Sequence, residues 1–247
     1  MDGVMRWLLG GWLILLPAMG WAGDGDALLA EVDRKLRPES SESFRRFINV
    51  LPDNTRLETV VYTAFKSGRV QAAVIIAPKE RKGTALLRTQ SGSLWLYLPE
   101  KKEIKKVRGN ASFVGGAFNN DDILRSDFHV DFEAEIKEEN DKETILDMKP
   151  KQKGGTYKRA RMSVDKRTSM PTRVAYFSPS GVALKEVDFA PADKLKGGFI
   201  RPPVLRTRSR LNARYRSEMH FGEIRKRDLS DDVFTLGFLE RLASLVK

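Results

Sequence analysis

From Leu57 onwards, short runs rich in β-branched and aromatic residues alternate with compact turn signals, and this rhythm restricts the fold more than any single motif. The runs Leu57-Glu-Thr-Val-Val-Tyr-Thr-Ala-Phe65 and Val70-Gln-Ala-Ala-Val-Ile-Ile-Ala77 flank a turn at Lys66-Ser-Gly-Arg69. Further turns recur at Lys82-Gly83, Ser91-Gly92, Asn140-Asp141, Lys166-Arg167 and Ser180-Gly181. The spacing predicts an antiparallel meander of about ten or eleven strands. A sheet of that length curls, and its inner face must be filled. Strong helical patterns are too few to sandwich it on both faces. The expected fold class is therefore mainly β with a few helices: a curved antiparallel sheet forming an incomplete (half) β-barrel, with helices in its concave side.

Three segments carry helical periodicity. Ala27, Leu28, Leu29, Val32 and Leu36 recur at helical spacing behind Asp24 and Asp26, which complement a helix N-terminus, and Pro38 ends the pattern. A second amphipathic patch, Phe44, Phe47, Ile48 and Leu51, closes at Pro52. The chain ends in a helix expected over Asp231–Leu245, capped by Ser230 or Asp231 and carrying Val233, Phe234, Phe238, Leu239 and Leu242.

The most informative stretch is Leu94–Asp127. Leu94, Leu96 and Leu98 alternate with Trp95 and Tyr97, so this strand is apolar on both faces and must be covered on both. After Pro99 and a short basic strand ending at Val107, a loop rich in glycine and asparagine carries Phe113, Val114 and Phe118. Asn119, Asn120 and Asp121 then offer capping oxygens before the helical turn of Ile123 and Leu124. Apolar side chains on a glycine-containing loop describe a lid over an apolar interior. The candidate cavity and lid residues are Trp95, Tyr97, Phe113, Val114, Phe118, Ile123 and Leu124; the alternative is that each simply closes the core.

The first 22 residues read as a secretory signal: Arg6, an apolar stretch from Trp7 to Leu16, a break at Pro17 and small residues at Gly20 and Ala22, with cleavage expected after Ala22. Met5 offers a cleaner start than Met1, because Asp2 is unusual in such a segment. Residues 23–247 then form a single domain of roughly 225 residues, large enough for one core. With no cysteine in the chain, there is neither a disulfide nor a residue to acylate. The protein is therefore not itself a lipoprotein, and the export signal makes the periplasm its expected location. The net charge of +11 is carried entirely by the mature part, since Asp2 and Arg6 cancel. Export removes the nucleic-acid reading of that charge and leaves anionic lipid surfaces, or plain solubility, as its use. Arg206, Arg208 and Arg210 share one strand face, either as headgroup contacts or as a solvated outer face.

Catalytic patterns are lacking. The two histidines, His129 and His220, lie in no ligand motif, thiolate chemistry is excluded, and Gly115-Gly116 has no Gly-Lys-Ser/Thr ending. Asp121-Asp122 and Asp231-Asp232 are better placed as helix caps than as acid–base pairs. No catalytic residue, metal or cofactor is expected.

The order Trp-x-Tyr-x-Pro, a basic strand ending in Arg108, Ser112-Phe-x-Gly-x-x-Phe118, and an acidic pair before Ile123-Leu124 resembles the outer-membrane lipoprotein-sorting family, relatives of the periplasmic lipoprotein carrier LolA. Pro171-Thr-Arg-Val-Ala-Tyr-Phe-Ser-Pro-Ser-Gly181 and Asp232-Val-Phe-Thr-Leu-Gly-Phe-Leu-Glu-Arg241 fit the same pattern. Where that family has Gly-Ser-Asp-Phe, this chain has Gly115-Gly116-Ala117-Phe118, keeping the aromatic residue and losing the polar pair. The resemblance implies a half-barrel that carries acyl chains of lipids or lipoproteins, as a monomer, from an inner-membrane ABC or RND-type transporter towards the outer membrane. The other reading is a sensor or interaction module of the same fold that regulates an envelope complex without transferring lipid.

Overall fold

A computed structural model describes residues 21–66, 70–124, 127–151, 157–209 and 216–246. The export signal read in residues 1–22 falls almost wholly outside the described residues, as do most of the turn at 66–69 and Arg210. Helix α1 (Trp21–Leu36) is followed by strands β1 (Ser40–Val50), β2 (Arg56–Lys66), β3 (Val70–Ala77), β4 (Ala85–Arg88), β5 (Leu94–Leu98) and β6 (Glu103–Val107). Two single-turn helices come next, α2 (Asn120–Ile123) and α3 (Phe128–Asp131). The second half comprises β7 (Phe132–Glu139), β8 (Glu143–Pro150), β9 (Arg159–Asp165), β10 (Met170–Phe177), β11 (Ala183–Phe189), β12 (Asp193–Lys194), β13 (Ile200–Arg201), β14 (Val204–Ser209) and β15 (Arg216–Lys226). Two 3-10 segments, Asp231–Phe234 and Leu236–Leu245, close the chain.

Among the described residues thirteen strands form one sheet in the order β6-β5-β4-β3-β2-β1-β15-β14-β11-β10-β9-β8-β7, and β12 and β13 make a separate ribbon. All pairings are antiparallel. The sheet curls without closing. Leu94 and Leu86 near one end share a core with Ala134, Leu146 and Met148 at the other, while β6 and β7 remain edges. Arg88 of β4 donates to Asp131 of α3 at 2.8 Å, tying the two halves across the hollow. Both edges carry exposed charge, Lys105 and Lys106 on β6 and Glu133, Glu135 and Glu138 on β7, which disfavours pairing with another chain.

Residues 40–50 correct the helical reading of Phe44, Phe47 and Ile48: they are a strand at the middle of the sheet. β1 pairs with β2 from Ser40↔Lys66 to Val50↔Arg56 and with β15 on its other side. Its inward positions, Ser41, Ser43, Arg45, Phe47 and Asn49, mix polar with apolar residues, so the period-two signal is blurred. That strand and the short β12 and β13 raise the count above the ten or eleven expected.

Helices α1, α2 and α3 fill the inner hollow through Leu29, Val32, Leu36, Ile123 and Phe128. The C-terminal segment, expected as a helix, is instead a pair of 3-10 segments on the opposite face. There Val233, Phe234, Leu239 and Leu242 cover Tyr62, Ala64, Ala72, Val74, Leu87 and Tyr97 of β2–β5. Part of the sheet is thus sandwiched, which is why β5 is apolar on both sides.

Candidate functional site

The loop between β6 and α2 folds as a flap over the inner face. Its backbone is shaped by its own polar side chains: Ser112 Oγ shares its one hydrogen between the carbonyls of Gly115 (2.8 Å) and Phe118 (2.5 Å), and Asn120 accepts from Phe113 N (2.9 Å) and donates to Arg108 O (3.0 Å). Asn119 caps α2 in a reciprocal capping box with Asp122. Phe113, Val114, Phe118, Ile123 and Leu124 are all buried and join the inner core, and Phe118 meets Phe47 edge-on at 6.0 Å.

Polar groups on the sheet floor hold the flap down. Asn49 Nδ2 donates to Val114 O (3.1 Å), Ser217 Oγ donates to Asn49 Oδ1 (2.7 Å), and Ala117 N donates to Ser217 Oγ (2.9 Å). Gly116, at φ +72°, lies so close that an added Cβ would stand 1.9 Å from Asn49 Oδ1 and 2.5 Å from Ser217 Oγ. The turn without Ser and Asp is therefore anchored by side chains from β1 and β15. Arg45 Nη1 donates to Ile123 O at 2.9 Å, and Lys185 of β11 forms a buried ion pair with Asp122. Tyr157, stacked on Tyr176 at 4.0 Å, donates to Asp122 at 3.1 Å.

Beside the flap lies a cavity of about 80 Å³. Phe118, Val187, Leu205, Met219 and Phe221 supply apolar wall, while Arg37, Arg45 and Arg201 make it cationic. Arg201, buried, donates to Leu36 O (2.9 Å) and Pro202 O (3.2 Å), and its guanidinium lies 3.5 Å from the centre of the Phe221 ring. Arg45 faces the same ring at 5.1 Å. Burial pushes Arg45 down to about 9, and the nearby Arg37 adds to the effect. Arg201 is driven well below the usual arginine range by burial first, then by Arg45 and Arg37.

At the mouth, Asp33 of α1 accepts from the backbone N–H groups of Phe128 (2.9 Å) and His129 (2.8 Å) and contacts His129 Nδ1 at 2.8 Å. This hydrogen bond raises the His129 pKa above its ordinary value. Asp127, paired with Arg37 at 3.2 Å, is raised by burial. Among the described residues no cluster of histidine and carboxylate side chains is arranged to hold a metal ion.

The candidate residues divide between two faces. Phe113, Val114, Phe118, Ile123 and Leu124 come together in the inner core, with Phe118 on the cavity wall. Trp95 and Tyr97 point to the outer face and pack under the C-terminal segment, away from the flap, so they are corrected from cavity wall to outer core; Leu94 and Leu96 are the inward residues of β5. Arg206 and Arg208 are exposed on the outer face of β14, where Arg206 donates to Glu218 at 3.2 Å and the neighbouring strand places Glu186 and Asp188 opposite them. They belong to a solvated, charge-interleaved surface remote from the cavity. Sequence reasoning missed Arg45, Arg201, Asn49 and Ser217. Only Lys185 left a trace, sharing β11's inward face with Val187 two positions on.

A family model described as that of an uncharacterized protein matches residues 69–241. The chain belongs to that family. Its fold is LolA-like. A LolA superfamily protein from Nitrosomonas europaea is similar at TM-score 0.76 and 22% identity, covering 89% of this chain and 99% of that one. A domain of an outer membrane lipoprotein-sorting protein from Vibrio parahaemolyticus aligns at TM-score 0.74 and 18% identity, covering 89% and 100%. A protein from Desulfovibrio piger aligns at TM-score 0.75 and 22% identity over 88% and 98%. The sequence finds no significant match among curated proteins. No helix among the described residues of this LolA-like chain is long and apolar enough to cross a membrane.

Proposed function

We propose that this LolA-like chain is a periplasmic, non-catalytic carrier. It takes acyl chains of lipids or lipoproteins into the hollow behind the flap and moves them between an inner-membrane transporter of ABC or RND type and the outer membrane. The observation that carries this reading is the plug: five apolar side chains of one loop segment occupy the hollow, and a handful of polar contacts hold that segment down. At about 80 Å³ the cavity beside the flap is smaller than the ~150 Å³ that admits benzene, so a whole acyl chain needs the space that the flap side chains now fill.

The magnitudes favour exchange. Withdrawing one long acyl chain from a membrane exposes methylenes worth ~0.8 kcal/mol each, at least ~10 kcal/mol in all. Displacing the five flap side chains exposes about 1.5–3 kcal/mol apiece, a similar total. Cargo and plug thus compete on nearly equal terms, which suits uptake followed by release. Export agrees with the signal read in residues 1–22, and the net charge of +11 suits transient contact with anionic membranes.

The test is native mass spectrometry with lipid extraction on mature protein purified from a periplasmic fraction without detergent. Stoichiometric phospholipid or acylated peptide is expected. Protein that emerges empty and also fails to take up a fluorescent fatty acid would overturn the carrier reading in favour of the interaction module.

A further inference from the structure

The arginines of the cavity are not needed to hold an acyl tail. A purely apolar hollow would do that, and burying a guanidinium is costly unless it is compensated. Yet Arg45 and Arg201 come from distant parts of the chain to one cavity wall and both face Phe221, with Arg37 beside them. The two carboxylates on the same wall are already engaged: Asp33 by the Phe128 and His129 N–H groups, and Asp122 by Lys185, Tyr157 and its capping box. Arg201 directs two of its five N–H groups to carbonyl oxygens, Leu36 O and Pro202 O, leaving donors in the planar fork that suits carboxylate and phosphate.

We infer that this wall is a headgroup subsite: the cargo is an amphiphile with an anionic head, carboxylate or phosphate, held by Arg201 together with Arg45 and Arg37 while its acyl tail takes the place of the flap side chains. The inference rests on the carrier reading and names its substrate class. Even with the flap closed, the cavity of about 80 Å³ exceeds the ~10–15 Å³ of probe-occupied volume that one water needs, which leaves room for a small oxyanion beside the guanidinium groups. An anion there also offsets the repulsion among the three arginines, which now works against the charge on Arg201.

The test compares three probes of equal chain length, dodecanoate, dodecyl phosphate and dodecanol, by titration of the delipidated mature protein at neutral pH. At least one anion is expected to bind about tenfold or more tighter than dodecanol, the scale of a charge-assisted hydrogen bond. Preference for dodecyl phosphate assigns a phospholipid-type head, and preference for dodecanoate a free fatty acid. Arg201→Gln is expected to erase most of that preference, and Arg201→Lys to restore part of it. Equal affinity for all three probes in the unaltered protein overturns the headgroup subsite and leaves the carrier standing. Binding of none overturns both. An unchanged anion preference in folded Arg201→Gln overturns the assignment to this residue.

Discussion

Gly116 combines a positive φ of +72° with a Cβ position already taken by Asn49 and Ser217. Gly92 shares the backbone sign, φ +80°, but faces open space. Gly116→Ala is therefore expected to cost about 3 kcal/mol or more, adding a steric clash to the ~1–2 kcal/mol of left-handed strain that Gly92→Ala incurs alone. Urea unfolding of both variants checks this; equal losses would mean that the flap turn yields without disturbing its anchors. The other residue with a testable signature is His129. Its folded pKa lies above the unfolded value because Asp33 accepts from it. The stabilisation is thus fully present below the unfolded pKa of about 6.5 and is lost as pH rises through the folded one. The difference in Tm between the unaltered protein and His129→Gln should be largest near pH 5.5 and shrink by pH 8.5. A difference that grows with pH would contradict the Asp33 pairing.

At the scale of elements, α2 is a single turn that no propensity would sustain. It persists through its capping box, the burial of Ile123 in the inner core and the Lys185–Asp122 pair. Lys185→Met strips Asp122 of its cation in a buried setting, a change worth about 3–5 kcal/mol. The loss should be local, because the β8–β9 and β9–β10 ladders do not include Lys185. Hydrogen exchange is expected to quicken across residues 111–124 and stay unchanged in β8–β10, with faster uptake of a fluorescent fatty acid. Uniform acceleration throughout would show that the flap is no separate opening unit.

Over the whole molecule, the C-terminal segment does the work of a second layer. It buries Leu239 and Leu242 against strands whose other face lines the hollow. Leu242→Ala should destabilise by about 2–5 kcal/mol, a large share of the ~5–15 kcal/mol typical of a domain. Leu236→Ala, at a position 36% exposed, should stay within about 0.5 kcal/mol. Denaturant midpoints of the two variants measure this contrast. If both are neutral, the outer layer contributes little to the fold. The open edges β6 and β7 remain single through their exposed lysines and glutamates, so the hollow can be left unclosed without inviting a neighbouring sheet.

What the sequence determines by itself is whatever short-range pattern encodes. Alternation and turn residues specify an antiparallel sheet, Asn119 and Asp122 specify a cap, and Leu94 to Leu98 require cover on both faces. The flap was legible because phenylalanines among glycines have no local use. Tertiary structure alone decided which face of β5 looks into the hollow, since alternation is symmetric under exchange of faces until something packs on one of them. It also decided β1, whose inward Ser43, Arg45 and Asn49 conceal the strand period and make sense only opposite Thr63, Ile123 and Val114. Arg45 and Arg201 are more than 150 positions apart, and no local pattern announces their meeting. Arg201 arrives on the β12–β13 ribbon, outside the large sheet, and meets Arg45 of β1 over Phe221 of β15, bringing the charge that gives the cavity its chemistry.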